Sequence, residues 1–250
     1  MTNLAGKDLI LATDLDGTFL GGDEASKKAL YGYIEDNRDW LGLVFVTGRD
    51  LGFIDDITSA DVPRPDLVIG DVGTTVVHGH DFSPVKEVED WIDALWTGSD
   101  SAEEKLINAQ KLERQKVFGG RRLSYFYHDV EEANRLREEI TDMGYDVLMS
   151  DNIYFDVLPR GVQKGPTLKK TMAHFDLPDA SILVAGDTLN DRSLFETGLD
   201  GVMVGNAEAA LIEAVSHLEN VYHAEGEGAA GVHDGLLRKI KSHAKGEFAS

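Results

Sequence analysis

The chain contains no cysteine. That absence excludes a disulfide framework, a thiolate metal centre and a cysteine nucleophile. Basic residues are scarce: 24 Lys and Arg stand against 45 Asp and Glu, for a formal net charge of -21. Phosphate backbones need a basic face, so nucleic acid is not an expected partner. The same charge slows encounter with any anionic ligand unless the binding site is locally positive. No apolar run reaches membrane-spanning length. The N-terminus also lacks a basic segment leading into a long apolar run, so it does not read as a signal peptide. A soluble, cytoplasmic protein with no membrane partner is the expectation. Repeats and low-complexity tails are missing as well. What is present is an ordinary apolar fraction, 42% of 250 residues, enough for one large domain or two modest ones.

Strand and helix patterns alternate through the first third. Asp8–Thr13, Leu43–Val46 and Leu67–Ile69 read as short buried strands, with helices expected over about Glu24–Asn37 and Asp50–Ser59. Such alternation predicts a parallel sheet with helices on both faces. The rhythm changes near Phe82. Helical spacing runs through Val88, Trp91, Ile92, Leu95 and Trp96, and a second helix is expected over about Ala102–Glu113. A strand over Leu123–His128 and a helix capped by Asp129 follow. Two further strands, Tyr145–Met149 and Ile153–Leu158, are joined at Ser150-Asp151-Asn152, a hairpin signal. After Pro159 the α/β rhythm resumes, with strands over Ile182–Ala185 and Val202–Val204, a loop over Glu225–Gly231 and a last helix near His233. The fold expected is a Rossmann-like α/β core, residues 1–82 and 160–250, with an α+β cap inserted over residues 83–159.

Four short motifs punctuate this pattern. Asp14-Leu15-Asp16-Gly17-Thr18 ends the first strand, and Thr47-Gly48-Arg49 ends the second. Lys164 stands at the return to the α/β pattern, and Gly186-Asp187-Thr188-Leu189-Asn190-Asp191 ends a later strand. Each alone is weak, because Asp and Gly are common turn residues and a lone Lys is usually solvated. Their order and their placement at strand ends, where open α/β sheets bind ligands, make the joint pattern specific. Two carboxylates one residue apart repel unless a cation lies beside them, and a hard divalent ion such as Mg2+ suits oxygen ligands. His78-Gly79-His80 offers two histidines without a supporting acid cluster, and a strand end or loop is expected there.

In these four motifs, and in an insertion between the second and third, the chain resembles the haloacid dehalogenase-like phosphatases. The resemblance implies that Asp14 is a nucleophile forming a phosphoaspartyl intermediate, and that Asp16 is the general acid and base. It implies that Lys164 neutralises developing charge, and that Thr47, Gly48, Lys164 and Asn190 bind phosphate. It further implies Mg2+ held by Asp14, the main-chain carbonyl of Asp16, Asp187 and Asp191. A phospho-accepting receiver module also uses an acidic cluster, a threonine and a lysine, but it is a single short domain without an inserted cap. A non-catalytic relative would not require all four motifs intact.

Finer stretches resemble the sucrose-phosphate phosphatase-like subfamily: Leu123–Asp129, Tyr154–Pro159, Ser193–Glu196 and Val204–Ala207. That likeness implies a phosphorylated disaccharide as substrate, sucrose 6-phosphate first. Mannosylfructose phosphate and mannosylglycerate- or glucosylglycerate-type phosphates are the alternatives. The implied partners are a small-molecule sugar phosphate and a sugar-phosphate synthase, and the chain is expected to be a monomer. Arg49, Arg122, Tyr125, His128, Asp151 and Asn152 are the residues expected to contact sugar.

Overall fold

The structure is a computed structural model describing residues 4–117, 119–150 and 152–243. In chain order the elements begin with β1 (Leu9–Thr13), α1 (Glu24–Asp36), β2 (Leu41–Val46), α2 (Leu51–Thr58), β3 (Leu67–Gly70), β4 (Thr75–His78) and α3 (Lys86–Leu95). The middle of the chain forms α4 (Asp100–Leu106), β5 (Leu112–Gln115), β6 (Leu123–Tyr127), α5 (Val130–Asp142), β7 (Tyr145–Ser150) and β8 (Tyr154–Pro159). The remainder comprises α6 (Lys164–His174), β9 (Ile182–Gly186), α7 (Arg192–Phe195), β10 (Asp200–Met203), α8 (Ala209–Val215), β11 (Val221–His223) and α9 (Gly228–His243).

Seven strands form the larger sheet, in the order β11-β10-β9-β1-β2-β3-β4, parallel throughout except that β4 runs antiparallel to β3. The central strands β1, β2 and β9 are buried along their whole length. That is why they read as continuous apolar runs rather than alternating ones. Side chains still alternate between faces. Ile10, Ala12, Val44 and Val46 point to a core shared with Leu168 and Met172 of α6 and Leu211 of α8. Leu9, Leu11, Leu43 and Phe45 point to the opposite core, with Leu30 and Ile34 of α1 and Leu236 of α9. Asp23 and Asp50 cap α1 and α2 by accepting from Ser26 and Phe53 main-chain N–H at 2.7 and 3.1 Å, a contribution of about 1 kcal/mol each.

The smaller sheet is antiparallel, in the order β5-β6-β8-β7. One face packs on α4 and α5 through Tyr125, Phe155, Val157, Leu106 and Leu136. It has the form of a cap. Asp129 caps α5, as expected, taking two main-chain N–H groups at 3.0 Å.

Four details differ from the sequence reading. Within the block 83–159, α3 packs on the larger body, with Val88 and Ile92 in its core, so the separate smaller core begins beyond it. The helix expected over Ala102–Glu113 stops at Leu106, and Leu112–Gln115 instead pairs along β6 as an edge strand. Edge pairing is a tertiary contact that overrides local helical preference. Strands β4 and β11 are four and three residues long, too short for a periodicity signal. The last helix begins at Gly228 within the expected loop, where that residue packs directly on Gly21.

Candidate active site

The carboxyl ends of β1, β2 and β9 converge beneath the open face of the smaller sheet. Asp14 follows β1 and is buried, and the chain then turns sharply through Asp16 and Gly17. Gly17 has φ +74°, and a Cβ there would lie 2.1 Å from Asp187 Oδ2. Only glycine combines the left-handed backbone with that close approach. The turn thus brings Asp14 beside the segment after β9.

Lys164, at the first position of α6, is fully buried. Its Nζ donates to Asp14 Oδ1 and Asp191 Oδ1, both at 2.7 Å, and also to Asn190 Oδ1. Burial alone would lower the ammonium's pKa, but Asp14 and Asp191 outweigh it and hold it raised. Asp191 is fixed from its other oxygen by the main-chain N–H groups of Asp187 and Thr188, at 3.0 and 3.1 Å. Asp187 accepts from Thr18 Oγ1 at 2.7 Å and from Asn206 Nδ2 at 3.4 Å. Ligating oxygens of Asp14, Asp187 and Asp191 lie within 4.8 Å of one another. Three carboxylates and one ammonium leave a formal deficit of two positive charges. Burial, with help from Asp191 and Asp187, pushes the Asp14 carboxyl well up, Lys164 opposing. A hard divalent cation fits this oxygen set and that deficit.

Asp16 turns away from the cluster. Both its oxygens accept from Arg49, Nε and Nη2, at 2.8 Å each. Any metal ligation by Asp16 therefore falls to its main-chain carbonyl. Gly48 and Arg49 line the cavity, while Thr47 lies buried below them and its hydroxyl accepts from Arg49 N–H at 3.1 Å. Asn190 also lines the cavity.

Above this floor lies a cavity of about 330 Å³, bounded by the smaller sheet. That is the lower end of the usual size for small-molecule sites, about 300–1,000 Å³. Strand register explains its ceiling. Gln115 pairs with Ser124, Ser124 with Asp156, and Asp156 with Leu148. All four line the cavity as one cross-strand row. Arg122 sits two residues before Ser124, on the same face, and lines it too.

Three expectations for the cap are corrected, the first by strand parity. Tyr125 is one residue out of phase with Ser124, so it points into the core against α4 and α5 and is 4% exposed. His128 lies beyond the end of β6, exposed, with Nε2 3.5 Å from Glu113. It does not line the cavity. Asn152 is exposed at the β7–β8 turn with φ +54°, also off the cavity lining. Asp151 lies outside the described residues. His78 ends β4, and among the described residues only Asp14, Asp187 and Asp191 group as candidate metal ligands.

The sequence reading passed over several residues of this site. Asp71, after β3, takes Arg122 Nη2 at 3.1 Å, and Asp156 lies 3.5 Å from Arg122 Nη1. Burial pushes the Asp71 carboxyl up to about 6 against the pull of Arg122, and burial raises Asp156 likewise. The signal that would have found Ser124 and Asp156 is the two-residue alternation of the cap strands, counted from Arg122.

The sequence matches the family described as sucrose-6F-phosphate phosphohydrolase over residues 7–238. A glucosylglycerol-phosphate synthase of Pseudomonas anguilliseptica is 39% identical over 246 residues, 96% of this chain. The chain spans about a third of that protein's length, 32%. Mannosylfructose-phosphate phosphatase of Agrobacterium fabrum is 29% identical over 91% of this chain and 95% of that protein. Among solved structures, the sucrose-phosphatase of Synechocystis sp. PCC6803, determined with sucrose and phosphate, superposes with TM-score 0.85. It covers 94% of this chain and 98% of that one at 24% identity, a likeness of fold.

Proposed function

Because the chain belongs to the sucrose-6F-phosphate phosphohydrolase family, of haloacid dehalogenase-like hydrolases, we propose that it hydrolyses the phosphomonoester of a small glycoside. The observation that carries this reading is the buried set of Asp14, Lys164, Asp187 and Asp191. It presents a carboxylate nucleophile with an ammonium against it and an oxygen set fit for the cation that would complete the charge balance.

Asp14 attacks phosphorus and the ester oxygen departs, taking a proton from Asp16; the phosphoryl group is then carried on Asp14. Asp16 next removes a proton from water, which attacks that phosphorus and releases inorganic phosphate. Before either transfer Arg49 has to let go of Asp16, since it occupies both oxygens. The incoming phosphate is the natural competitor for that guanidinium. Lys164 holds Asp14 in its attacking position and offsets charge on the phosphoryl oxygens. Gly48 N–H and the Asn190 amide are the neutral donors at the floor. Asp14, Asp187, Asp191 and the Asp16 carbonyl would hold Mg2+. When bound, it screens the repulsion between Asp14 and phosphate and polarises the phosphoryl oxygens.

For the substrate, the 39% identity to part of a glucosylglycerol-phosphate synthase favours glucosylglycerol phosphate. In that reading a sugar-phosphate synthase supplies the ester that this chain cleaves. Sucrose 6-phosphate is the second reading, favoured by the family match. A phosphate-release panel with Mg2+ decides between them, using glucosylglycerol phosphate, sucrose 6-phosphate, mannosylfructose phosphate and an aryl phosphate. The expected result is highest kcat/KM on glucosylglycerol phosphate, reduced to background by Asp14→Asn. Faster turnover of sucrose 6-phosphate replaces the first reading with the second. No release from any ester refutes hydrolysis itself.

A further inference from the structure

One wall of the cavity is built around a largely buried guanidinium between two buried carboxylates. Arg122 reaches Asp71 at 3.1 Å and Asp156 at 3.5 Å, and all three line the cavity. Formally the group carries one negative charge. Asp50 lines the same cavity and adds a second. The neighbours on the ceiling are Gln115, Ser124, Ser150 and Tyr154, which are uncharged. Exposed Lys116 is a further cation of the lining. Arg49, the other cation of the lining, is taken up by Asp16 at the phosphate end.

This wall is held at a conformational cost. Asp71 and Val72 both adopt left-handed backbone, φ +49° and +61°, which is unfavourable for a β-branched residue. Strain of this kind persists where the surroundings over-determine it, and functional sites are its usual place. Here it aims the Asp71 carboxylate of the larger body at Arg122 of the smaller one.

We propose that Asp71, Arg122 and Asp156 determine specificity by charge, admitting uncharged polyhydroxylated glycosides and rejecting those whose non-phosphorylated part bears a carboxylate. Sugar hydroxyls donate to the carboxylates and exchange with Ser124 and Tyr154. A substrate carboxylate would meet a net negative wall whose guanidinium already faces two carboxylates, and like charges set close together repel. The inference rests on the proposed phosphatase reading and narrows its substrate class. Glycosylated phosphoglycerates, considered above as alternatives, fall on the excluded side.

The test uses a matched pair that differs at one carbon: glucosylglycerol phosphate and glucosylglycerate phosphate, CH2OH against carboxylate. The full chain with Mg2+ is expected to prefer the neutral ester by at least about tenfold in kcat/KM. Equal turnover, or preference for the carboxylated ester, overturns the proposal. Asp156→Asn removes one of these negative charges, and Gln115→Lys places a cation in the same cross-strand row. Each is expected to narrow the preference by at least about fivefold. An unchanged preference in a folded variant also overturns the proposal; the wild-type comparison decides alone if neither variant folds. Absence of release from every ester, aryl phosphate included, is failure of the phosphatase reading instead. Best activity on sucrose 6-phosphate changes the substrate assignment and leaves the charge comparison standing, because the non-phosphorylated part is uncharged in sucrose 6-phosphate and glucosylglycerol phosphate alike.

Discussion

Asp71 illustrates what one buried carboxylate costs. Its pKa is pushed up to about 6 by burial, from a model-peptide value of 3.8. The folded state thus keeps a proton that the unfolded chain has already lost. The contribution of Asp71 to stability is greatest below pH 3.8 and falls as pH rises through the folded value near 6, then levels. The total change across that window is on the order of 3 kcal/mol. Denaturant unfolding at several pH values, comparing wild type with Asp71→Asn, is expected to show the difference between them falling between about pH 4 and 6 and flat above. A difference that rises or stays level over that range would contradict the assignment. Asp71 was not legible as a site residue. Nothing about Gly70-Asp71-Val72-Gly73 in the sequence marks a left-handed pair aimed at an arginine some fifty positions away.

At the scale of elements, the cap sheet divides into two faces with opposite duties. Tyr125 and Ser124 are adjacent in β6, yet one fills the core against α4 and α5 and the other lines the cavity. Tyr125→Ala is expected to destabilise the protein by about 3–5 kcal/mol, as large aromatic truncations in cores do, read as a fall in the denaturation midpoint. Ser124→Ala is expected to leave that midpoint almost unchanged and to raise KM for the glycoside ester. The reverse pattern would mean that the register is wrong. Strands β6, β7 and β8 were evident from composition and from the hairpin signal, and α5 from its Asp129 cap. β5 was not, because its four residues are strand only by pairing with β6. The placement of α3 on the larger body was equally hidden, since an amphipathic helix does not announce which apolar surface will cover it.

For the molecule as a whole, the acidic cluster and Lys164 tie β1, α6 and the segment after β9 together through one buried set of charges. A cation that binds only the folded state stabilises it by mass action, about 2.7 kcal/mol at a hundredfold over Kd. For a chain of this length that corresponds to a rise in Tm of about 5–10 °C. EDTA is expected to abolish phosphate release and lower Tm, with Mg2+ restoring both. Activity that survives chelation would refute the charge argument for the cluster. The sequence by itself determined the α/β order, the strand-end placement of Asp14, Thr47 and Asp187, and the return at Lys164. Those features depend on local periodicity and on residue types that few other chemistries require. Tertiary structure alone decided which carboxylates gather in one buried cluster and which pair with arginine. It also decided which cap side chains face the substrate. Such choices depend on strand register and on contacts between residues far apart in the chain, where a shift of one position exchanges a core residue for a binding one.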